Sequence, residues 1–281
     1  MKHIIVSDSS CDIHEMEHLA DDTVFSYAPL KILVGEREYV DDSSLNPLEM
    51  LEELYAFQGP SSSACPSPEE WAKQFRRADE VYALTITSAL SGSYNSAVAA
   101  RDMVLTETPD KKICLIDSLS TGPELVLLIQ KLNEYLKSKL DFHSICERIQ
   151  EYQQKTRLLF KLESLDNLVK NGRLNKVLAK VADVLNIHIV GCADSAGTLD
   201  ILHKCHGSKR SYACILKEMI QNGYSNGKVI ISHCDNRTGA LILKQKISEA
   251  FEDPDITILT TGGLCSYYAE RHGILLGYEV V

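Results

Sequence analysis

Short apolar strands followed by serine-rich turns are the feature that most constrains the fold of this chain. Ile4-Ile5-Val6 leads directly into Ser7-Asp8-Ser9-Ser10, and the apolar run 81–87 leads into a second turn over residues 88–96. A third such turn, over residues 61–68, leads into a predicted helix. Where a strand ends and a helix begins, unpaired backbone N–H groups attract carboxylates and phosphates. The turns therefore predict an anion-binding crevice at the carboxyl ends of a parallel sheet.

Apolar strands alternate with amphipathic helices along the chain, which is typical of an α/β protein. We predict two domains. Residues 1–155 form an N-terminal α/β domain, with the hydroxyl-rich loops and a mainly parallel sheet flanked by helices. Residues 156–281 form a C-terminal α/β domain with antiparallel pairing, because a hairpin is predicted around Asp194-Ser195-Ala196-Gly197. No hairpin is predicted in the first half, and a further helix is expected over residues 174–185.

The composition excludes several classes of function. A formal net charge of −10 over 281 residues disfavours a nucleic-acid surface, which needs a basic face. The longest apolar runs are too short to span a bilayer, so no membrane insertion is expected. The nine cysteines are scattered and contain no Cys-x-x-Cys pair, which favours reduced thiols and a cytoplasmic location.

Motifs for metals and cofactors are absent from the sequence. His203 and His206 lie close together with Cys205 between them, but on a predicted strand and turn, where the histidines are interpreted as surface residues. A Gly-x-Gly-x-x-Gly fingerprint and a P-loop are both missing, so no cofactor is predicted.

Nucleophilic catalysis has weak support. Ser91-Gly92-Ser93 lacks the Gly-x-Ser-x-Gly elbow of α/β-hydrolases, and no histidine can be assigned as its base. Taken singly, each serine turn is better explained as a helix N-cap, and only the three turns together give a ligand site comparable support. Arg173 follows the helix stop Asn171-Gly172 and is interpreted either as a cap of helix carbonyls or as a contact for an anionic partner.

Several of these segments together resemble the DegV family of bacterial fatty-acid-binding proteins. The family opens with Thr-Asp-Ser-Ser-Ala-Asp-Leu, carries a Thr-Ser-x-Pro-Ser-Pro segment, and has an Ile-Ser-Ser-x-Leu-Ser-Gly-Thr-Tyr-Gln-Ser-Ala loop. The matching segments here are Ser7-Asp8-Ser9-Ser10-Cys11-Asp12-Ile13, Ser62-Ser63-Ala64-Cys65-Pro66-Ser67-Pro68 and Thr85-Ile86-Thr87-Ser88-Ala89-Leu90-Ser91-Gly92-Ser93-Tyr94-Asn95-Ser96-Ala97. Further matches are Ile116-Asp117-Ser118 and Leu165-Asp166-Asn167-Leu168-Val169-Lys170-Asn171-Gly172-Arg173-Leu174. The family's C-terminal Thr-His-x-Gly-Pro-Gly is replaced by residues 264–273, so the role of that histidine is not carried over.

The resemblance implies a lipid-binding carrier with no cofactor. Family members hold one long-chain fatty acid in a tunnel between two α/β domains and present it to a separate fatty acid kinase for phospholipid synthesis. Carried over by motif position, Ser62 and Ser63 would hold the carboxylate, with Ser91, Gly92 and Ser93 beside them. The C-terminal domain would cover the acyl tunnel, and Arg173 would lie at the tunnel mouth or contact the partner.

Three hypotheses follow from the sequence. The first is a cytoplasmic fatty acid carrier that is not an enzyme. The second is a serine-dependent hydrolase or phosphotransferase that acts on a small amphiphile through Ser91 or Ser93. The third is a sensor or interaction protein that binds another amphiphile. Fatty acid co-purifying with the protein would favour the first, whereas an empty protein that hydrolyses esters would favour the second.

Overall fold

A computed structural model describes residues 2–175 and 186–280 of the chain. In chain order, the strands of the described ranges are β1 (His3–Asp8), β2 (Thr23–Ala28), β3 (Lys31–Val34), β4 (Arg37–Val40), β5 (Ser61–Ala64), β6 (Glu80–Thr85), β7 (Lys112–Asp117), β8 (Thr156–Leu162), β9 (Ile187–Ala193), β10 (Leu199–His206), β11 (Val229–His233), β12 (Ile256–Thr260) and β13 (Ile274–Glu279). The α-helices are α1 (Pro47–Ala56), α2 (Pro68–Phe75), α3 (Ser93–Glu107), α4 (Pro123–Lys137), α5 (Phe142–Gln153), α6 (Asp166–Lys170), α7 (Ser208–Gln221), α8 (Arg237–Ala250) and α9 (Gly263–Ala269). Most of the helix expected over 174–185 lies outside the described residues.

The first half contains the predicted parallel sheet. Its strand order is β2-β1-β6-β7, and each neighbouring pair runs parallel. Ile4, Ile5 and Val6 of β1 are fully buried, because a central parallel strand is covered on both faces. The serine-rich turns after β1 and β6 therefore lie at the same edge of this sheet, as the sequence predicted.

The second half contributes a mixed sheet of order β10-β9-β8-β13-β11-β12. Pairing is antiparallel except between β11 and β12, and the predicted hairpin formed by β9 and β10 is confirmed. In the described ranges, the strands before and after residue 155 share no sheet. The division of the chain into two folding domains at that residue stays a prediction.

A small antiparallel sheet in the first half was missed by the sequence analysis. β3 pairs with β4 across a tight turn at Gly35, whose φ is +61°, and with β5 on its other side. The prediction that the first half has no hairpin is therefore wrong. Residues 61–64 contain no β-branched or aromatic side chain, so they read as a turn. They form a strand because β3 offers backbone partners to them.

Helix α4 packs between the two larger sheets. One buried cluster joins its leucines to Ile5 and Tyr82 of the parallel sheet and to Ile230 of the mixed sheet. A Cβ atom on Gly277 of β13 would lie 2.6 Å from the backbone nitrogen of Glu124, so only glycine allows α4 to approach this closely. This contact brings the carboxyl ends of β1 and β6 close to the face of the mixed sheet.

Candidate functional site

A cavity of about 300 Å³ lies between elements of the first half and the mixed sheet. This volume is at the lower end of the range of about 300–1,000 Å³ for small-molecule sites. The wall is mainly aliphatic and aromatic, with Leu30, Ile86, Leu90, Leu158, Phe160, Leu162, Leu168, Leu199, Leu264 and Leu275. The polar or sulfur-bearing lining residues are Ser63, Cys65, Ser91, Thr121, Arg173, Cys265 and Tyr268. Such a wall suits a long apolar group that carries one polar end.

Strand β5 places one of its serines at the cavity. Alternate side chains of a strand point to opposite faces, so Ser61 and Ser63 share one face and Ser62 takes the other. Ser63 Oγ lies 2.8 Å from the hydroxyl oxygen of Tyr268, and Ser61 Oγ lies 2.8 Å from that of Tyr267. Ser62 is exposed. The structure therefore separates the two serines that the sequence analysis had paired.

The 91–93 loop divides its residues between the cavity and the core. Ser91 and Gly92 line the cavity. A Cβ atom on Gly92 would lie 3.3 Å from Cys65 Sγ, so a larger residue would narrow the space between this loop and residue 65. Ser93 is fully buried and donates its hydroxyl hydrogen to Asp8 Oδ2 at 2.6 Å. Of the predicted loop residues, Ser91 and Gly92 face the cavity and Ser93 supports the loop from behind.

Asp8 ties the serine turn after β1 to the serine turn after β6. Its carboxylate accepts hydrogen bonds from the Ser10 hydroxyl at 2.5 Å and the Ile86 backbone N–H at 2.9 Å, besides the one from Ser93. Burial raises the pKa of Asp8, while these donors oppose that shift. Asp8 is not among the site residues predicted from the sequence. The available signal was a carboxylate two residues after the apolar run Ile4-Ile5-Val6.

Arg173 lines the cavity. Its Nε donates to the backbone oxygen of Leu90 at 3.0 Å, and its Nη1 donates to that of Asn171 at 2.6 Å. Gly172 has a φ of +73°, which lets the chain turn after α6 and aim the next residue inward. Arg173 thus lies next to Ser91, and its charge acts on Tyr268, which is bonded to Ser63; we call these four residues the polar end of the cavity.

Helix α9 contributes cavity-lining residues, Leu264 and Tyr268 among them, that were not predicted from the sequence. Its N-terminus is held by Asp41, which accepts from the backbone N–H groups of Gly263 at 2.7 Å and Leu264 at 2.9 Å. Asp12 accepts from the N–H of Gly262 at 2.8 Å. Burial raises the pKa of both carboxyls, that of Asp12 to about 7. These bonds join the first half of the chain to a helix that belongs to the second.

Other kinds of site find little support in the described ranges. Among residues 2–175 and 186–280, no three His, Cys, Asp or Glu side chains gather where they could hold a metal ion. Within the same part of the chain, each helix lacks the length or the apolar character needed to cross a membrane.

Comparison with known proteins identifies the family. The sequence pattern described as "Uncharacterised protein, DegV family" matches residues 2–276. This chain belongs to the DegV family. A DegV domain-containing protein of Streptococcus gordonii is 46% identical over 276 residues, which cover 98% of each sequence. A DegV domain-containing protein of Streptococcus pneumoniae strain R6 is 44% identical over the same length, with the same coverage.

Solved structures of DegV proteins share the fold. The Streptococcus pneumoniae Fatty Acid Kinase (Fak) B3 protein, loaded with linoleic acid, superposes with a TM-score of 0.98 at 44% identity and full coverage of both chains. A DegV family protein from Eubacterium eligens, loaded with heptadecanoic acid, gives 0.95 at 40% identity, covering 99% of this chain and 100% of that one. A DegV protein from Ruminococcus gnavus, refined with vaccenic acid, has a TM-score of 0.90 at 28% identity, covering 98% of this chain and 99% of that one.

Proposed function

We propose that this DegV protein binds one long-chain fatty acid in the cavity and presents it to a separate fatty acid kinase, without being an enzyme itself. The observation that carries the proposal is the polarity of the cavity. Ser63 is bonded to Tyr268, and Arg173 is bonded to Leu90 next to Ser91, so polar groups lie near one another there, whereas most of the remaining wall is apolar. A fatty acid has the same distribution of polarity, with one carboxylate and a long hydrocarbon chain.

The energetics of burial support this ligand class. Each buried methylene contributes roughly 0.8 kcal/mol, so a long acyl chain against these leucines would supply most of the affinity. The carboxylate must keep hydrogen-bond partners when it leaves water. We propose that Ser63, Ser91 and the backbone of Gly92 provide them, with Ser93 holding the loop in place and Ser62 contributing nothing directly.

The solved relatives support the same class of ligand. Linoleic, heptadecanoic and vaccenic acids occupy the proteins from Streptococcus pneumoniae, Eubacterium eligens and Ruminococcus gnavus. These ligands differ in length and unsaturation but share a single carboxylate. We extend the class, long-chain fatty acids, to this chain.

The kinase partner is the second part of the proposal. The Streptococcus pneumoniae relative is named as a fatty acid kinase protein, which supports a kinase partner here. A kinase that phosphorylates the carboxylate must reach the polar end of the cavity. Arg173 lies at that end, and cations favour phosphate groups through charge-assisted hydrogen bonds. We propose that Arg173 acts in acyl transfer more than in fatty acid affinity.

The alternative of a serine hydrolase is less well supported. Ser93 is engaged by the Asp8 carboxylate, and the described residues that line the cavity include no histidine to activate Ser91. The proposal is tested by native mass spectrometry of the protein as purified, followed by removal of lipid and titration with linoleic acid. Co-purified fatty acid and saturable one-to-one binding are expected. An empty protein that fails to bind linoleic acid and hydrolyses acyl esters would overturn it.

A further inference from the structure

Tyr268 extends the polar end of the cavity beyond the serine turns. We propose that Tyr268 is a positioning residue, whose phenol donates to Ser63 Oγ and so directs the hydroxyl hydrogen of Ser63 onto the carboxylate of the bound acyl chain. This inference rests on the proposed function. It assigns a role to a residue in the segment 264–273, where the sequence departs from the DegV motif.

The fold holds Tyr268 firmly in place. It lies on α9, whose N-terminus is anchored by Asp41, and its ring lies 4.8 Å from that of Tyr267 in an edge-to-face arrangement. Its hydroxyl oxygen lies 2.8 Å from Ser63 Oγ on β5, although 205 positions separate the two residues in sequence. Both residues line the cavity. The helix anchor, the ring contact and the hydrogen bond therefore hold this pair at the cavity wall.

The chemistry of the two hydroxyls decides the direction of the hydrogen bond. A phenol, with a reference pKa of about 10, is a stronger donor than an aliphatic alcohol. Burial raises the pKa of Tyr268 further, so it keeps its proton at neutral pH. A serine hydroxyl has one hydrogen and two lone pairs. If Ser63 accepts from Tyr268, its own hydrogen is left for an acceptor in the cavity.

This arrangement favours an acidic head group over a neutral one. An ionised carboxylate only accepts hydrogen bonds, and bonds to it are roughly twice as strong as those between neutral groups. A fatty alcohol of the same length fills the same apolar wall but lacks this charge. Loss of the Tyr268 hydroxyl should therefore weaken binding of the acid and leave binding of the alcohol nearly unchanged.

The test compares Tyr268→Phe with Tyr267→Phe, using linoleic acid and linoleyl alcohol as ligands. The control removes an equivalent hydroxyl from the same helix. The Tyr267 hydroxyl bonds to Ser61 and Asn171, and the residue is not among those described as lining the cavity. We expect Tyr268→Phe to lower affinity for the acid about tenfold, or 1.4 kcal/mol, and affinity for the alcohol less than twofold. Tyr267→Phe should leave both affinities unchanged.

The outcomes separate this inference from the proposed function. If the wild-type protein binds no linoleic acid, the proposed function fails. If it binds and Tyr268→Phe binds the acid equally well, or loses acid and alcohol alike, the positioning role is wrong. If Tyr268→Phe does not fold, Ser63→Ala carries the test, since it removes the donor that Tyr268 is proposed to direct. A folded Ser63→Ala variant with undiminished selectivity for the acid would overturn the inference.

Discussion

Ser93 donates its hydroxyl hydrogen to Asp8 Oδ2 across 2.6 Å, although 85 positions separate the two residues in sequence. Both side chains are buried, and the bond joins the end of β1 to the start of α3. The Asp8 carboxylate also receives the N–H of Ile86, so the loop after β6 is tied to the loop after β1. The cavity-facing residues Ser91 and Gly92 are thus held by a network that lies behind them.

Ser93→Ala should lower stability more than affinity. The substitution leaves a buried Asp8 oxygen without one donor, which costs about 1–3 kcal/mol in the free energy of unfolding. Fatty acid affinity of the folded variant should stay within about twofold of wild type, because neither Ser93 nor Asp8 lines the cavity. Chemical denaturation and ligand titration measure the two quantities. A stable variant with strongly reduced affinity would place Ser93 at the ligand instead.

Ser62→Ala and Ser63→Ala form a matched pair on one strand. Ser63 faces the cavity and Ser62 is exposed, so only Ser63→Ala should weaken binding of a fatty acid, by about 1–3 kcal/mol. The double variant should lose no more than Ser63→Ala alone. Isothermal titration of the folded variants checks this. Equal losses from both single substitutions would mean that β5 does not present its side chains as described.

The raised pKa of Asp12 predicts that the free energy of unfolding depends on pH. Burial raises its pKa from 3.8 to about 7, so the folded protein keeps a proton that the unfolded chain has already released. Its contribution to stability therefore falls as pH rises across this range, by up to about 1.4 kcal/mol per pH unit. The Asp12→Asn variant has no carboxyl group to titrate at this position. Its free energy of unfolding relative to wild type should therefore rise from pH 4 to pH 7.

Denaturation at several pH values measures this difference. Asp110→Asn, at an exposed position, serves as the control and should track wild type throughout. A difference between wild type and Asp12→Asn that stays constant with pH would contradict the prediction.

Arg173→Ala should distinguish binding of the fatty acid from its presentation to a kinase. The guanidinium group is bonded to the backbone oxygens of Leu90 and Asn171 and lies at the polar end of the cavity. We expect the variant to keep most of its affinity for fatty acid but to support acyl phosphate formation by a fatty acid kinase poorly. Equilibrium titration and a phosphorylation assay measure the two steps. If neither changes, Arg173 has no part in the function, and if the protein unfolds, its role is to cap the turn.

Local patterns in the sequence were enough to predict the α/β class, the parallel sheet and the β9–β10 hairpin. Hydrophobic periodicity and turn residues act within a few positions, so they can be read directly. The serine turns after β1 and β6 were likewise placed correctly, because carboxyl ends of parallel strands meet at one edge. The family resemblance then indicated a fatty acid as the ligand class, which the solved relatives support.

Only the tertiary structure decided which side chains face the cavity. Residues 61–64 have no strand pattern of their own, and pairing with β3 fixes Ser63 inward and Ser62 outward. Tyr268 is hydrogen-bonded to Ser63 at a sequence separation of 205 residues, and Ser93 to Asp8 at a separation of 85 residues. Contacts at such separations depend on how the sheets pack around α4, and no local periodicity in the sequence encodes that packing.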